Sequence, residues 1–362
     1  ELGQNKKNKK LIKSANKGQY VKVKLLLDNG ADVNAQDRFK LTALMEASYR
    51  GHTSIVKLLL DYGANDIAKY WQYGEENALI YASTKGHKNI VKLLLEKTDK
   101  NVQDPLTNKA LLSAAQNNHY EIVKLLLDHG ANVNTQNIFK IPERLLTTQF
   151  INNAGIRINP KWSLGYTALM YAAKQNNPEI VNLLLDHGAN VNIQGYWGNT
   201  ALILAAKHGH IAIVKLLLDH DANPNIQAHC GFTALIHATN QNNIKIVKLL
   251  LRAGAYKFLK FGRGRTALTL ATKKGYFYLV KLLLESGANP NSSDSHGTIP
   301  LMCAAKHGHA LICALLLSYN SLVNQQNKKG HTSWIKAARR RNYPIMKLLV
   351  KHGANINLKM EL

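Results

Sequence analysis

The Gly-His pairs of a recurring turn, Gly51-His52, Gly86-His87, Gly209-His210 and Gly308-His309, are the first residues of this chain that invite a chemical reading. Imidazoles can ligate metals or carry protons. None of these pairs, however, lies in a His-Glu-x-x-His stretch or sets two histidines on one helix face. Their recurrence at one kind of turn assigns them to holding that turn together. Phe261-Gly-Arg-Gly-Arg265 is glycine-rich but lacks the spacing and the Lys-Ser/Thr of a phosphate-binding loop, so it reads as a loop tip bearing two arginines. The recurring Asn-x-Asn tails carry too few carboxylates for a hard cation. Cys230, Cys303 and Cys313 form neither a disulfide framework nor a paired metal site, which favours a reducing compartment. With no nucleophile beside a base, no paired carboxylates and no ligand set, neither an enzyme nor a cofactor is expected.

The charge is the stronger signal. The 362 residues carry a formal +25 with a pI near 9.8. From Arg252 to Leu362 there are 18 Lys and Arg against 3 Asp and Glu, so the excess is concentrated towards the carboxyl end. Charge on this scale speaks to partners rather than to fold. Nucleic acid, an acidic protein face and an anionic membrane surface are the three classes it admits. No stretch approaches the roughly 18 apolar residues of a membrane span, so no integral membrane contact is expected.

These residues are positioned by a recurring unit, of which Thr200 to His229 is the most regular copy. Marked by the Thr of Thr-Ala-Leu, the copies start at Thr42, Asn77, Lys109, Thr167, Thr200, Thr233, Thr266, Ile299 and Thr332, with a tenth unit ahead of Thr42; the last six markers are 33 residues apart. In each unit a short helix (Leu202, Ala205 and Ala206 on one narrow face) is followed by a turn at Gly209. A second helix with the stripe Ile213, Val214, Leu217 and Leu218 comes next, then an extended arm. The Thr hydroxyl is placed to cap the first helix. One unit cannot bury its own apolar face, so the units must stack.

The Thr-Ala-Leu openings (Thr42-Ala43-Leu44, Thr167-Ala168-Leu169, Thr200-Ala201-Leu202), the Gly-His turns, the Ile-Val-Lys-Leu-Leu-Leu runs and Gly-Ala-Asn-Val-Asn at 130–134 and 188–192 resemble the ankyrin-repeat family over nearly all of 9–359. The family's usual Thr-Pro-Leu-His opening is replaced here by Thr-Ala-Leu. The resemblance implies an all-α repeat solenoid, an ankyrin-repeat stack of helix-turn-helix units with β-hairpin fingers and a concave inner face. It also implies a non-enzymatic protein that binds partners through that face. The expected organisation is one continuous solenoid: repeats 1–4 in 1–137, an insertion at 138–163 forming an enlarged finger or short helix, and repeats 5–10 in 164–362.

By the geometry of that family, the positions one and three before the Thr slot and seven and eight after it line the inner face. The amino-terminal and central units place Phe39, Tyr49, Tyr166, Trp197 and Phe232 there, with Tyr196 adjacent and Lys207 and His208 at a turn. The carboxyl-terminal units place Arg263, Arg265, Lys273, Lys274, Lys306, His307, Lys329, Arg339 and Arg340 there. Aromatics bury large area at low entropic cost, and cations steer acidic ligands. The function expected is a protein–protein interaction scaffold holding an acidic or amphipathic partner segment in this aromatic and basic groove. A bacterial effector acting in a host cell is an expectation by analogy alone. The alternative is nucleic-acid or oligonucleotide binding through the same groove. A monomer located in the cytoplasm, or secreted into a host cytosol, completes the expectation.

Overall fold

Each first helix begins where a side-chain oxygen stands in for a missing backbone acceptor. Thr42, Thr200 and Thr332 accept from the amide three residues on at 3.2 Å, and Asn77 does the same at 2.9 Å. Ile299 has no such oxygen, and Pro300 at the first helical position removes one donor that would need it. The computed structural model describes residues 2–65, 69–71, 74–97, 105–137 and 165–358. These fall into two units, Glu1–Tyr196 and Trp197–Leu362.

In the first unit the helices are α1 (Leu2–Asn16), α2 (Tyr20–Asp28), α3 (Ala43–Arg50), α4 (Thr53–Asp61), α5 (Ala78–Lys85), α6 (Lys88–Leu95), α7 (Pro105–Gln116), α8 (Tyr120–Asp128), α9 (Ala168–Lys174) and α10 (Pro178–Asp186). The first helices of successive repeats, α1, α3, α5, α7 and α9, pack in one row, and the second helices, α2, α4, α6, α8 and α10, in another. Leu44, Ile55, Leu59, Leu79, Ile90, Leu111, Ile122 and Leu169 fill the space between the rows. Helices α7 and α9 are direct neighbours although the insertion lies between them. Its ends are pinned together: the Gly165 amide donates to Asn137 at 2.7 Å, and the Asn137 amide to Tyr166 at 2.9 Å. The stack therefore runs past the insertion, whose own shape lies outside the described residues.

In the second unit the helices are α11 (Ala201–His208), α12 (Ile211–Asp219), α13 (Ala234–Asn240), α14 (Ile244–Arg252), α15 (Ala267–Lys274), α16 (Phe277–Glu285), α17 (Pro300–His307), α18 (Ala310–Ser318), α19 (Ser333–Ala338) and α20 (Tyr343–Lys351). The first helices α11, α13, α15, α17 and α19 again form a row. The all-helical repeat stack is as the sequence predicts.

Fingers are mostly tight turns. Among the described residues one antiparallel ladder occurs, β1 (Lys69–Trp71) with β2 (Gly74–Glu76), besides a single bridge between Phe261 and Arg265. Elsewhere an Asp or Asn closes the finger. Asp37 accepts from the amides of Phe39 and Leu41, Asp294 from those of His296 and Thr298, and Asn327 from those of Lys329 and His331, all at 2.8–3.0 Å. In the second unit each tip is tied to the next by one backbone bond: His229 to Trp197, Gly262 to Cys230, Ser295 to Arg263 and Lys328 to His296, at 2.8–3.0 Å.

Two further sets of bonds join repeats. The turn histidines reach backwards: Nε2 of His52, His87, His119 and His309 lies 3.1–3.3 Å from the carbonyls of Asn16, Tyr49, Thr84 and Lys273 in the preceding repeat. They therefore fasten neighbouring turns to one another, where the sequence suggested that each holds its own turn. The second Asn of the arm reaches forwards with both ends of its amide. Asn324 donates to Gly353 at 2.9 Å and accepts from Asn355 at 2.8 Å, and Asn291 and Asn225 behave alike. The Asn-x-Asn tails are thus stitches between repeats.

Candidate functional site

Finger tips and the ends of the first helices form the surface on which the predicted residues can be sought, and the two units present different chemistry there. In the first unit Phe39 and Tyr196 are about half exposed. The Arg38 guanidinium lies 4.5 Å from the Phe39 ring centre. Tyr49 packs edge-on against Tyr81 with ring centres 5.7 Å apart, and Lys85 Nζ sits 4.5 Å above it. This is a cation-flanked aromatic pair that can hold an apolar side chain. Tyr166 is different. It is 7% exposed, stacked edge-on with Tyr171, and burial raises its phenol pKa. Its ring belongs to the packing and offers little surface.

In the second unit Trp197 meets His229 edge-on at 5.5 Å. Phe232 is half-buried between His237 and Phe261, with ring centres 5.0 Å away on each side, over a small core of Ile236, Phe261 and Leu270. Most of its face is therefore already covered. Lys207 and His208 are exposed at the end of α11, and both act on His237. Burial first, then the charges of Lys207 and His208, push that imidazole down to about 4.

This shift has a sign. The unfolded chain takes up a proton on His237 near its ordinary 6.5, well before the folded chain does. Stability conferred by the neutral ring is therefore present above about 6.5 and lost as the pH falls towards 4, by roughly 2 kcal/mol after discounting for the ring's partial exposure. His237→Gln is expected to flatten the pH 7 to pH 5 change in the urea midpoint. An unchanged slope would show that His237 contributes nothing to it.

The cations gather in the carboxyl-terminal repeats. Arg263 stands at a finger tip, and Lys273, Lys274, Lys306, His307, Arg339 and Arg340 are exposed at the ends of α15, α17 and α19. Lys329 is exposed at its own tip. Arg265 lies over the Phe261 ring at 4.9 Å with its Nε buried, so it is partly structural. His307 Nδ1 lies 2.8 Å from the Cys303 carbonyl. Among the described residues none of these lysines and arginines makes an ion pair. The carboxylates within reach are spent elsewhere: Asp294 on the finger amides, and Glu285 3.8 Å from Lys281 on α16.

One position escapes the pattern read from the sequence. The fourth residue after the Thr slot lies against the residue one before it, as in Tyr171 with Tyr166, His237 with Phe232, and Lys336 with His331. The two are five residues apart, and the finger's return places one beside the first turn of the helix that carries the other. His331 is 7% exposed, with Lys336 Nζ at 2.9 Å from Nδ1 and Arg339 Nη1 at 3.1 Å from Nε2. Burial first, then Lys306 and Arg339, lower the Lys336 pKa. Near them Cys303 is raised to about 11 by burial and then by Asp294, which favours its thiol form. Among the described residues no group of His, Cys, Asp and Glu could hold a metal, and no helix is long and apolar enough to cross a membrane.

The repeat is matched by a family model over most of the chain and by known proteins over short segments of it. The profile described as ankyrin repeats (three copies) matches residues 11–104, 72–137, 143–228, 221–294 and 279–360. An ankyrin repeat protein of Acanthamoeba polyphaga mimivirus is 60% identical over 43 residues, which are 12% of this chain and 26% of the viral protein. A protein of Carollia perspicillata, named for ankyrin repeat, SAM and basic leucine zipper domains, is 48% identical over 44 residues, 12% of this chain and 9% of its own length. The aligned segments thus span about a quarter and about a tenth of these relatives.

Proposed function

For this chain, which belongs to the ankyrin-repeat family, we propose a role as a protein–protein interaction module whose second unit holds an acidic segment of a partner. Ankyrin repeats are generally protein–protein interaction modules. The acidic character of the partner is the further step. One observation carries it: Arg263, Lys273, Lys274, Lys306, Lys329, Arg339 and Arg340 recur at finger tips and first-helix ends of successive repeats, and among the described residues none is neutralised by a carboxylate. A row of unpaired cations on a rigid scaffold repels itself until an anionic chain lies along it. The bonded finger tips fix the spacing of the row, so little ordering is needed on binding. Exposed aromatics of the first unit, Phe39, Tyr49 and Tyr196, suit apolar side chains of a partner.

The test is fluorescence anisotropy with a labelled Glu- and Asp-rich peptide. Affinity is expected to fall by about tenfold between roughly 0.1 M and 0.5 M salt, as screened charges demand. An affinity indifferent to salt, or a clear preference for single-stranded RNA of the same charge, would overturn the reading.

A further inference from the structure

The cluster at His331 is one acceptor short. Arginine can only donate, so in the tautomer that bonds Arg339 Nη1 at 3.1 Å, His331 Nε2 is the accepting nitrogen of a neutral ring. The ring's single N–H is then on Nδ1, 2.9 Å from Lys336 Nζ. A lysine ammonium is also a donor, and the contact is donor against donor unless the lysine gives up its proton. The backbone cannot relax this, because the His331 amide and carbonyl are both held by Asn327 at 3.0 and 3.1 Å. Lys306, Lys329 and Arg339 lie close enough to Lys336 to disfavour its charge. The carboxylates do not help: among the described residues after Arg252, Asp294 is held by its own finger and Glu285 lies beside Lys281.

We propose that this cluster is a phosphoryl subsite, and that the acidic partner segment carries a phosphorylated side chain whose oxygens sit between Lys336, Arg339 and Lys306. This rests on the acidic-partner reading above and sharpens it. An oxygen anion supplies the missing acceptor to Lys336 and keeps it charged. A group of about two negative charges with three acceptor oxygens answers several cations at once, where one carboxylate answers one. His331, buried behind them, is a positioning residue: its Nε2 accepts from Arg339, and its Nδ1 edge, 2.9 Å from Lys336 Nζ, leaves the ammonium to find its acceptor in the ligand.

The experiment uses the full chain and three labelled acidic peptides of one sequence, with phosphoserine, Glu or Ser at the central position. The phosphoserine peptide is expected to bind about tenfold more tightly than the Glu peptide. Arg339→Gln is expected to erase that preference: as one cation of the row it weakens the Glu peptide as Arg263→Gln does, and it weakens the phosphoserine peptide about tenfold more than that. Arg263→Gln, at another point of the surface, should weaken all three peptides alike. Equal affinity for the phosphoserine and Glu peptides, or equal effects of the two substitutions on both, overturns the subsite and leaves the acidic-partner reading standing. No binding of any of the three overturns both.

Discussion

Gly51→Ala is expected to destabilise the first unit by about 2–3 kcal/mol. Gly51 ends α3 at φ +83°, and a Cβ there would meet His87 Cε1 at 2.6 Å and Nδ1 at 2.9 Å. Two effects add. An L-residue in that left-handed conformation costs roughly 1–2 kcal/mol. Displacing the ring also breaks the bond from His87 Nε2 to the Tyr49 carbonyl, 3.2 Å, worth about 1 kcal/mol. They can be separated. Gly63 has φ +82° with open space where a Cβ would go, so Gly63→Ala reports the backbone effect alone. In a His87→Ala background, Gly51→Ala should cost no more than Gly63→Ala does. Urea midpoints, together with hydrogen exchange in α3 and α4, compare the native chain with these four variants: the three single substitutions and the His87→Ala, Gly51→Ala double. Equal losses for Gly51→Ala and Gly63→Ala in the native background would show that the ring moves aside freely and that the inter-repeat bond adds little.

The largest functional effect is expected from reversing charge at two neighbouring first-helix ends. Lys273 and Lys306 are exposed on α15 and α17, which pack side by side, and neither makes an ion pair among the described residues. Lys273→Glu with Lys306→Glu converts two attractions to two repulsions. Affinity for the Glu- and Asp-rich peptide at low salt should drop by about 100-fold, or ~2.8 kcal/mol. Folding should not suffer, since mutual repulsion among the lysines falls. The control is an equal change of net charge on the second helix: Lys347→Glu with Lys351→Glu, both exposed on α20. If that pair weakens the peptide as much, the effect is one of net charge and the proposed surface is wrong.

Much of the candidate surface is legible in the order of residues along the chain. The row of cations follows from counting positions before and after each Thr slot, and helix capping by Thr200 or Asn77 is a local event that composition announces. Two kinds of residue are not legible in this way. Tyr166 and Phe232 stand at positions that face outward by pattern, yet each is covered by the aromatic or histidine five residues on, Tyr171 or His237. Lys336 stands at a position the pattern passes over, and it meets His331 by the same contact.

The sequence by itself determined the repeat, its helices and turns, and the crowding of positive charge towards the carboxyl end, because each of these is set by neighbours within one unit or by simple count. What only the tertiary structure decided is which groups are left without a partner. Whether an imidazole reaches back to Tyr49, an asparagine forward to Gly353, or an arginine to His331 depends on how a finger returns to its helix and how one repeat lies on the next. Hydrogen bonds are short and directional, so a pattern of residue types can name the donors and acceptors of this surface, while the packing alone settles which of them remain for a ligand.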